Sequence, residues 1–144
     1  ACAIDIGEAA NIHPANKQDV GKRLALEAER IAYGKDIVSR GPLFVSATPE
    51  GGVMRVSFRH AEGLKTSDGK APGAFAVAGA DKRFVWADAK IDGDTVVVSS
   101  PKVPNPEYVR YGYAGYRGDC NLQNGTGLPA YPFRSDAYDY SKVK

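Results

Sequence analysis

Apolar residues follow two rhythms along the 144 residues of the chain. Between Pro14 and Gly34 they recur at helical spacing: Val20, Leu24, Ala28 and Ile31 make one stripe, with Lys22, Arg23, Glu27 and Arg30 largely off it. Either Pro14 in the first turn or an Asn16–Asp19 capping pair opens this helix, and Gly34 suits its left-handed C-terminal position. Before it, Ala3 to Ile6 reads as a short buried strand ending at Gly7, and Glu8 to His13 as a loop.

From Gly41 the period becomes two. Strands are expected at Leu43–Ala47, Val53–Arg59 (Met54, Val56 and Phe58 on one face), Phe75–Ala78, Arg83–Ala87, Ala89–Ile91 and Thr95–Ser99. Asp92-Gly93-Asp94 marks a hairpin between the last two. Residues 61–73 read as a surface loop, and Pro101, Pro104 and Pro106 interrupt pairing. Glu107 to Tyr113 alternates again, placing Val109, Tyr111 and Tyr113 together. From Gly115 the tail is an irregular strap anchored by Leu122, Leu128, Tyr131 and Phe133. The pattern predicts a mainly β protein with one N-terminal helix, built as an antiparallel β-sandwich.

Composition supports a packed core, with 43% hydrophobic residues and eight tyrosines. A net charge of +2 with scattered charges gives no electrostatic footprint for nucleic acid. No apolar run is long enough to span a bilayer. No leader is visible ahead of Asp5, so the chain reads as cut from something longer. Cys2 and Cys120 match no metal or redox spacing, and both a disulfide and two buried thiols stay open. Asn124-Gly125-Thr126 fits the N-glycosylation triplet.

His13 is the first residue to suspect of chemistry. A neutral imidazole takes a proton from a serine hydroxyl when another group orients its second nitrogen. Asp5 and Glu8 are the nearby candidate carboxylates, and the uncharged Asn11 amide, two residues before the histidine, could also orient it. His60, at a strand end, reads as an exposed polar residue. No serine, Ser141 included, sits in a Gly-x-Ser-x-Gly elbow or a Gly-Asp-Ser context, and nothing near Cys120 suggests activation. Trp86, Tyr108, Tyr111, Tyr113 and Tyr116 suit either a sugar-stacking platform or core and edge positions of a sandwich.

Several runs together resemble the sialate O-acetylesterase family of SGNH hydrolases. They are Asp5-Ile6-Gly7-Glu8 with Ile12-His13-Pro14, Asn16-Lys17-Gln18, and Gly21 with Arg23-Leu24-Ala25. Phe75 to Gly79, Phe84 to Ala89, Gly93 to Val98 and Val109-Arg110-Tyr111 continue the series, which closes on Asn121-Leu122 and Gly127 to Arg134. The resemblance implies the C-terminal part of a carbohydrate O-acetylesterase of sialate or xylan type, secreted or periplasmic, or lysosomal in a eukaryote. Residues 1–34 would be the last strand, Ile-His-Pro loop and helix of the SGNH α/β domain. Residues 35–144 would be a jelly-roll-like sandwich with its strap. His13 would be the general base, and Asn11 stands where many relatives carry aspartate. The implied partners are an acetylated carbohydrate and a companion polypeptide or missing segment bearing the serine. No cofactor or metal is implied. The alternative is a non-catalytic carbohydrate-binding or structural sandwich.

Overall fold

The computed structural model describes residues 1–115 and 117–137, so Tyr116 and Ser141 lie outside the described residues. Helix α1 (Lys17–Ala32) is opened by Asn16, whose side-chain oxygen accepts the Asp19 N–H at 3.2 Å. The capping pair, rather than Pro14, sets its start. It closes at Tyr33, with Gly34 in the left-handed region at φ +64°. The face turned inward is charged: Arg23 and Glu27 are its buried residues. Leu24 and Ile31, from the apolar stripe, stay 56% and 66% exposed.

Among the described residues ten strands follow: β1 (Leu43–Glu50), β2 (Val53–Arg59), β3 (Lys65–Thr66), β4 (Phe75–Ala78), β5 (Val85–Trp86), β6 (Asp88–Asp92), β7 (Thr95–Ser99), β8 (Tyr108–Tyr111), β9 (Leu122–Gln123) and β10 (Phe133–Arg134). Two antiparallel four-stranded sheets run β1-β2-β7-β6 and β10-β8-β4-β5, with β3 and β9 as a small pair beside them. The expected mainly β, antiparallel architecture with one helix is therefore the one observed among the described residues. Alternation supplies the core: Met54, Val56, Val96 and Val98 from the first sheet meet Phe75, Val77, Val109 and Tyr111 from the second. A register shift between Phe44 and Ser46 lets both Phe44 and Ala47 reach that core from β1.

The tail is less irregular than its composition suggests. Phe133 enters β10 and stacks on Phe44 with ring centroids 4.5 Å apart, and it lies edge-on to Phe58 and Phe75. Two expectations fail for clear reasons. Ala3–Ile6 is a turn, closed by the Ile6 N–H on the Ala3 carbonyl at 3.3 Å, because no strand among the described residues pairs with it. Tyr113 leaves the Val109–Tyr111 face, because Gly112 takes φ +57° and redirects the chain outward. Gly41 is required by close approach: a Cβ there would lie 2.0 Å from the Pro129 carbonyl, where the helix linker crosses the strap.

Candidate functional site

The loop before α1 carries His13 and is shaped by side chains that grip its backbone. Glu8 Oε1 accepts the Ala15 N–H at 2.6 Å. Asn11 Oδ1 accepts the His13 N–H at 2.9 Å, and Asn11 Nδ2 donates to Glu8 Oε2 at 3.4 Å. A backbone bridge between Glu8 and Asn11 completes the clasp. Glu8 and Asn11 thus fix the main chain on both sides of the histidine. The His13 imidazole is exposed and has no hydrogen-bond or ion-pair partner among the described residues. Beside it, Ile12 is 91% exposed.

Asp5 lies elsewhere. Its carboxylate takes Arg23 Nη1 and Nη2 at 2.6 and 2.8 Å, and Arg23 Nη1 also donates to the Cys2 carbonyl at 2.8 Å. This bidentate pair staples the N-terminal turn to α1. One helical turn later, Glu27 gathers four donors from three residues: Arg40 Nε at 2.9 Å and Nη2 at 3.4 Å, Arg30 Nη2 at 2.9 Å and the Ser39 hydroxyl at 3.1 Å. The Arg40 hydrogen bond, outweighing the opposing effect of burial, and those from Arg30 and Ser39 hold the Glu27 carboxyl down at about 2. The helix that follows the His13 loop is thus held by charge pairs to the N-terminal turn and to the linker that leads into the sandwich. Two opposite charges spaced i, i+4 were the only sequence signal for it.

No nucleophile faces His13 among the described residues. Ser39 is buried and committed to Glu27. Cys120 is buried, and burial pushes its thiol up to about 11, the opposite of an activated cysteine. Neither cysteine is in a disulfide. The glycosylation triplet also finds a structural use. Asn124 is 2% exposed; its Nδ2 donates to the Arg40 and His60 carbonyls, and its Oδ1 accepts from Leu128 N–H and the Thr126 hydroxyl. The His60 side chain is exposed, as expected, and lines an open hollow of about 450 Å³ with Arg30 and Arg40.

The aromatics divide. Tyr111 is fully buried and its hydroxyl accepts the Leu122 N–H at 3.3 Å, while Trp86 and Tyr113 are about half exposed on the outer side of the second sheet. No helix among the described residues is long and apolar enough to cross a membrane.

No protein-family model matches the chain. No curated protein matches it either. Among solved structures, a carbohydrate acetylesterase from Xanthomonas citri is similar to it, with 45% sequence identity and a TM-score of 0.88 over 93% of this chain. The chain spans 31% of the length of that protein.

Proposed function

We propose that this chain is the histidine-bearing C-terminal part of a secreted or periplasmic carbohydrate O-acetylesterase, of sialate or xylan type with an SGNH site. His13 is the general base. Its imidazole takes the proton from a serine hydroxyl as that oxygen attacks the acetyl carbonyl, then returns it to the departing sugar oxygen. The serine lies on a segment or companion polypeptide outside these 144 residues, which also supplies the group that orients the imidazole.

The observation that carries this reading is an exposed, unpartnered imidazole on a loop whose backbone is clasped by Glu8 and Asn11. A site residue completed from elsewhere needs a free side chain on a fixed main chain. The helix supports the same reading. Its charged face is spent on Asp5 of the N-terminal turn and on Ser39 and Arg40 of the linker, and Leu24, Ile31 and the adjacent Ile12 stay open for an apolar partner. The similarity to a carbohydrate acetylesterase supports the carbohydrate-esterase side of this reading.

Reassembly tests it. The chain is mixed or co-expressed with a polypeptide carrying the remaining esterase portion, and hydrolysis of an aryl acetate and release of acetate from acetylated xylan are measured. Activity should require both pieces and should vanish with His13→Ala. Full activity in that variant would exclude His13 as the base.

A further inference from the structure

The outward face of the second sheet carries an arrangement that the esterase reading leaves unused. The registers Arg134↔Arg110, Ala76↔Arg110 and Ala76↔Trp86 set Arg134, Arg110, Ala76 and Trp86 in one row across four strands. At the usual strand spacing the row is about 14 Å long. Its members are tied down by neighbours. Asp136, whose side chain is 3% exposed, accepts Arg110 Nε at 2.9 Å and Nη2 at 2.6 Å, and it also binds Arg134. The Arg110 guanidinium lies 3.7 Å from the centre of the Phe84 ring and 5.2 Å from that of Tyr113. Arg117 lies 3.8 Å over Trp86 and is paired with Asp119.

Small Ala76 and Ala78 form the floor between the strands that carry these rings. Beside Tyr113, a shallow hollow of about 420 Å³ is lined by Gly112, Ala114 and Pro132. Trp86, the only tryptophan of the chain, is 51% exposed and Tyr113 is 49% exposed. Arg110 Nη1 has no partner among the described residues.

We propose that this face is a glycan-docking surface, in which Trp86 and Tyr113 stack on sugar rings and Arg110 between them donates to sugar hydroxyls. The proposal rests on the reading of the chain as part of a carbohydrate-acting protein, and it places a second substrate contact on the sandwich, apart from His13. The chemistry favours a neutral polysaccharide. Ring faces prefer the apolar C–H faces of sugars, and fixed guanidinium donors suit hydroxyls. Two carboxylates, Asp119 and Asp136, offset three guanidinium groups, so the face lacks the dense positive charge that holds a polyanion. A platform locked before binding also loses little side-chain freedom on contact.

The experiment uses the 144-residue chain alone, because docking needs no serine. Soluble acetylated xylan is titrated while Trp86 emission is recorded, and retardation is followed by electrophoresis through the same polysaccharide. A saturable emission change is expected, unaltered by moderate salt. Tyr113→Ala should weaken binding about tenfold, and Trp86→Ala should abolish retardation. Both sites are surface positions, and unchanged unfolding curves confirm that the variants fold. The proposal is overturned by no response to acetylated xylan, by retardation indifferent to both substitutions, or by a response to heparin alone that salt removes. Because this readout involves no hydrolysis, its failure leaves the esterase reading untouched, and failed reassembly leaves the docking surface untouched.

Discussion

Arg23 grips Asp5 with both terminal guanidinium nitrogens, at 2.6 and 2.8 Å, and this pair stands between the N-terminal turn and helix α1. The carboxylate nearest the start of the chain is therefore engaged in fixing the segment ahead of His13. Asp5→Asn leaves Arg23, with a side chain only 10% exposed, short of its counter-charge. The expected loss is about 3 kcal/mol, read as a lower urea midpoint with an unchanged slope.

Stability should also depend on acid in a defined window. Glu27 and Asp136 both lie at about 2, against ordinary values of 4.5 and 3.8. For Glu27 the Arg40 hydrogen bond contributes most, and for Asp136 that of Arg110. The unfolded chain binds these protons more readily than the folded one. Their contribution is thus complete above about 4.5 and is lost as pH falls toward 2. Thermal midpoints measured across that range should fall steadily, and Glu27→Gln should flatten the fall while lowering the plateau.

Asn124 is a structural residue in the folded chain. Four hydrogen bonds tie it to Arg40, His60, Thr126 and Leu128. Asn124→Ala should cost roughly 2–3 kcal/mol, because the carbonyls of Arg40 and His60 lose a buried donor. Expression in a glycosylating host should leave this residue unmodified in the folded product, as intact-mass measurement would show.

Phe133 couples the tail to the core. It contacts Phe44, Phe58, Phe75 and Tyr111 and is 7% exposed. Phe133→Ala should cost about 3–5 kcal/mol and detach β10 from β8. Amide exchange at Tyr111 and Arg134 would report the loss of that pairing.

The open face of α1 should behave oppositely. Leu24→Asp with Ile31→Asp should change the stability of the chain by less than about 1 kcal/mol, since both side chains are already mostly in water. The same pair of substitutions should abolish reassembly with the esterase portion, measured as loss of co-elution and of acetate release. Unimpaired reassembly would show that the partner docks elsewhere.

Much of the architecture was legible in the residues. The two-residue period over Val53–Arg59, Phe75–Ala78 and Thr95–Ser99 fixed those strands and their inward faces, because a sandwich must bury one side of each strand. Asn16 and Gly34 bounded the helix through local backbone chemistry. The short tail strands were not legible, since two-residue pairings leave no period to read. His13 stood out as a histidine after a carboxylate-rich turn, and its imidazole has no hydrogen-bond or ion-pair partner among the described residues.

What sequence alone determined about this protein is local: strand faces, turns and helix ends. Tertiary structure decided how the helix sits. Periodicity assigned Val20, Leu24 and Ile31 to the buried side, and the fold buries Arg23 and Glu27 instead. The reason is that Asp5, Ser39 and Arg40, distant in sequence, meet at the helix and satisfy its charges there. Hydrophobic spacing records that a face seeks cover; which neighbour supplies it depends on complementary groups brought together only by folding.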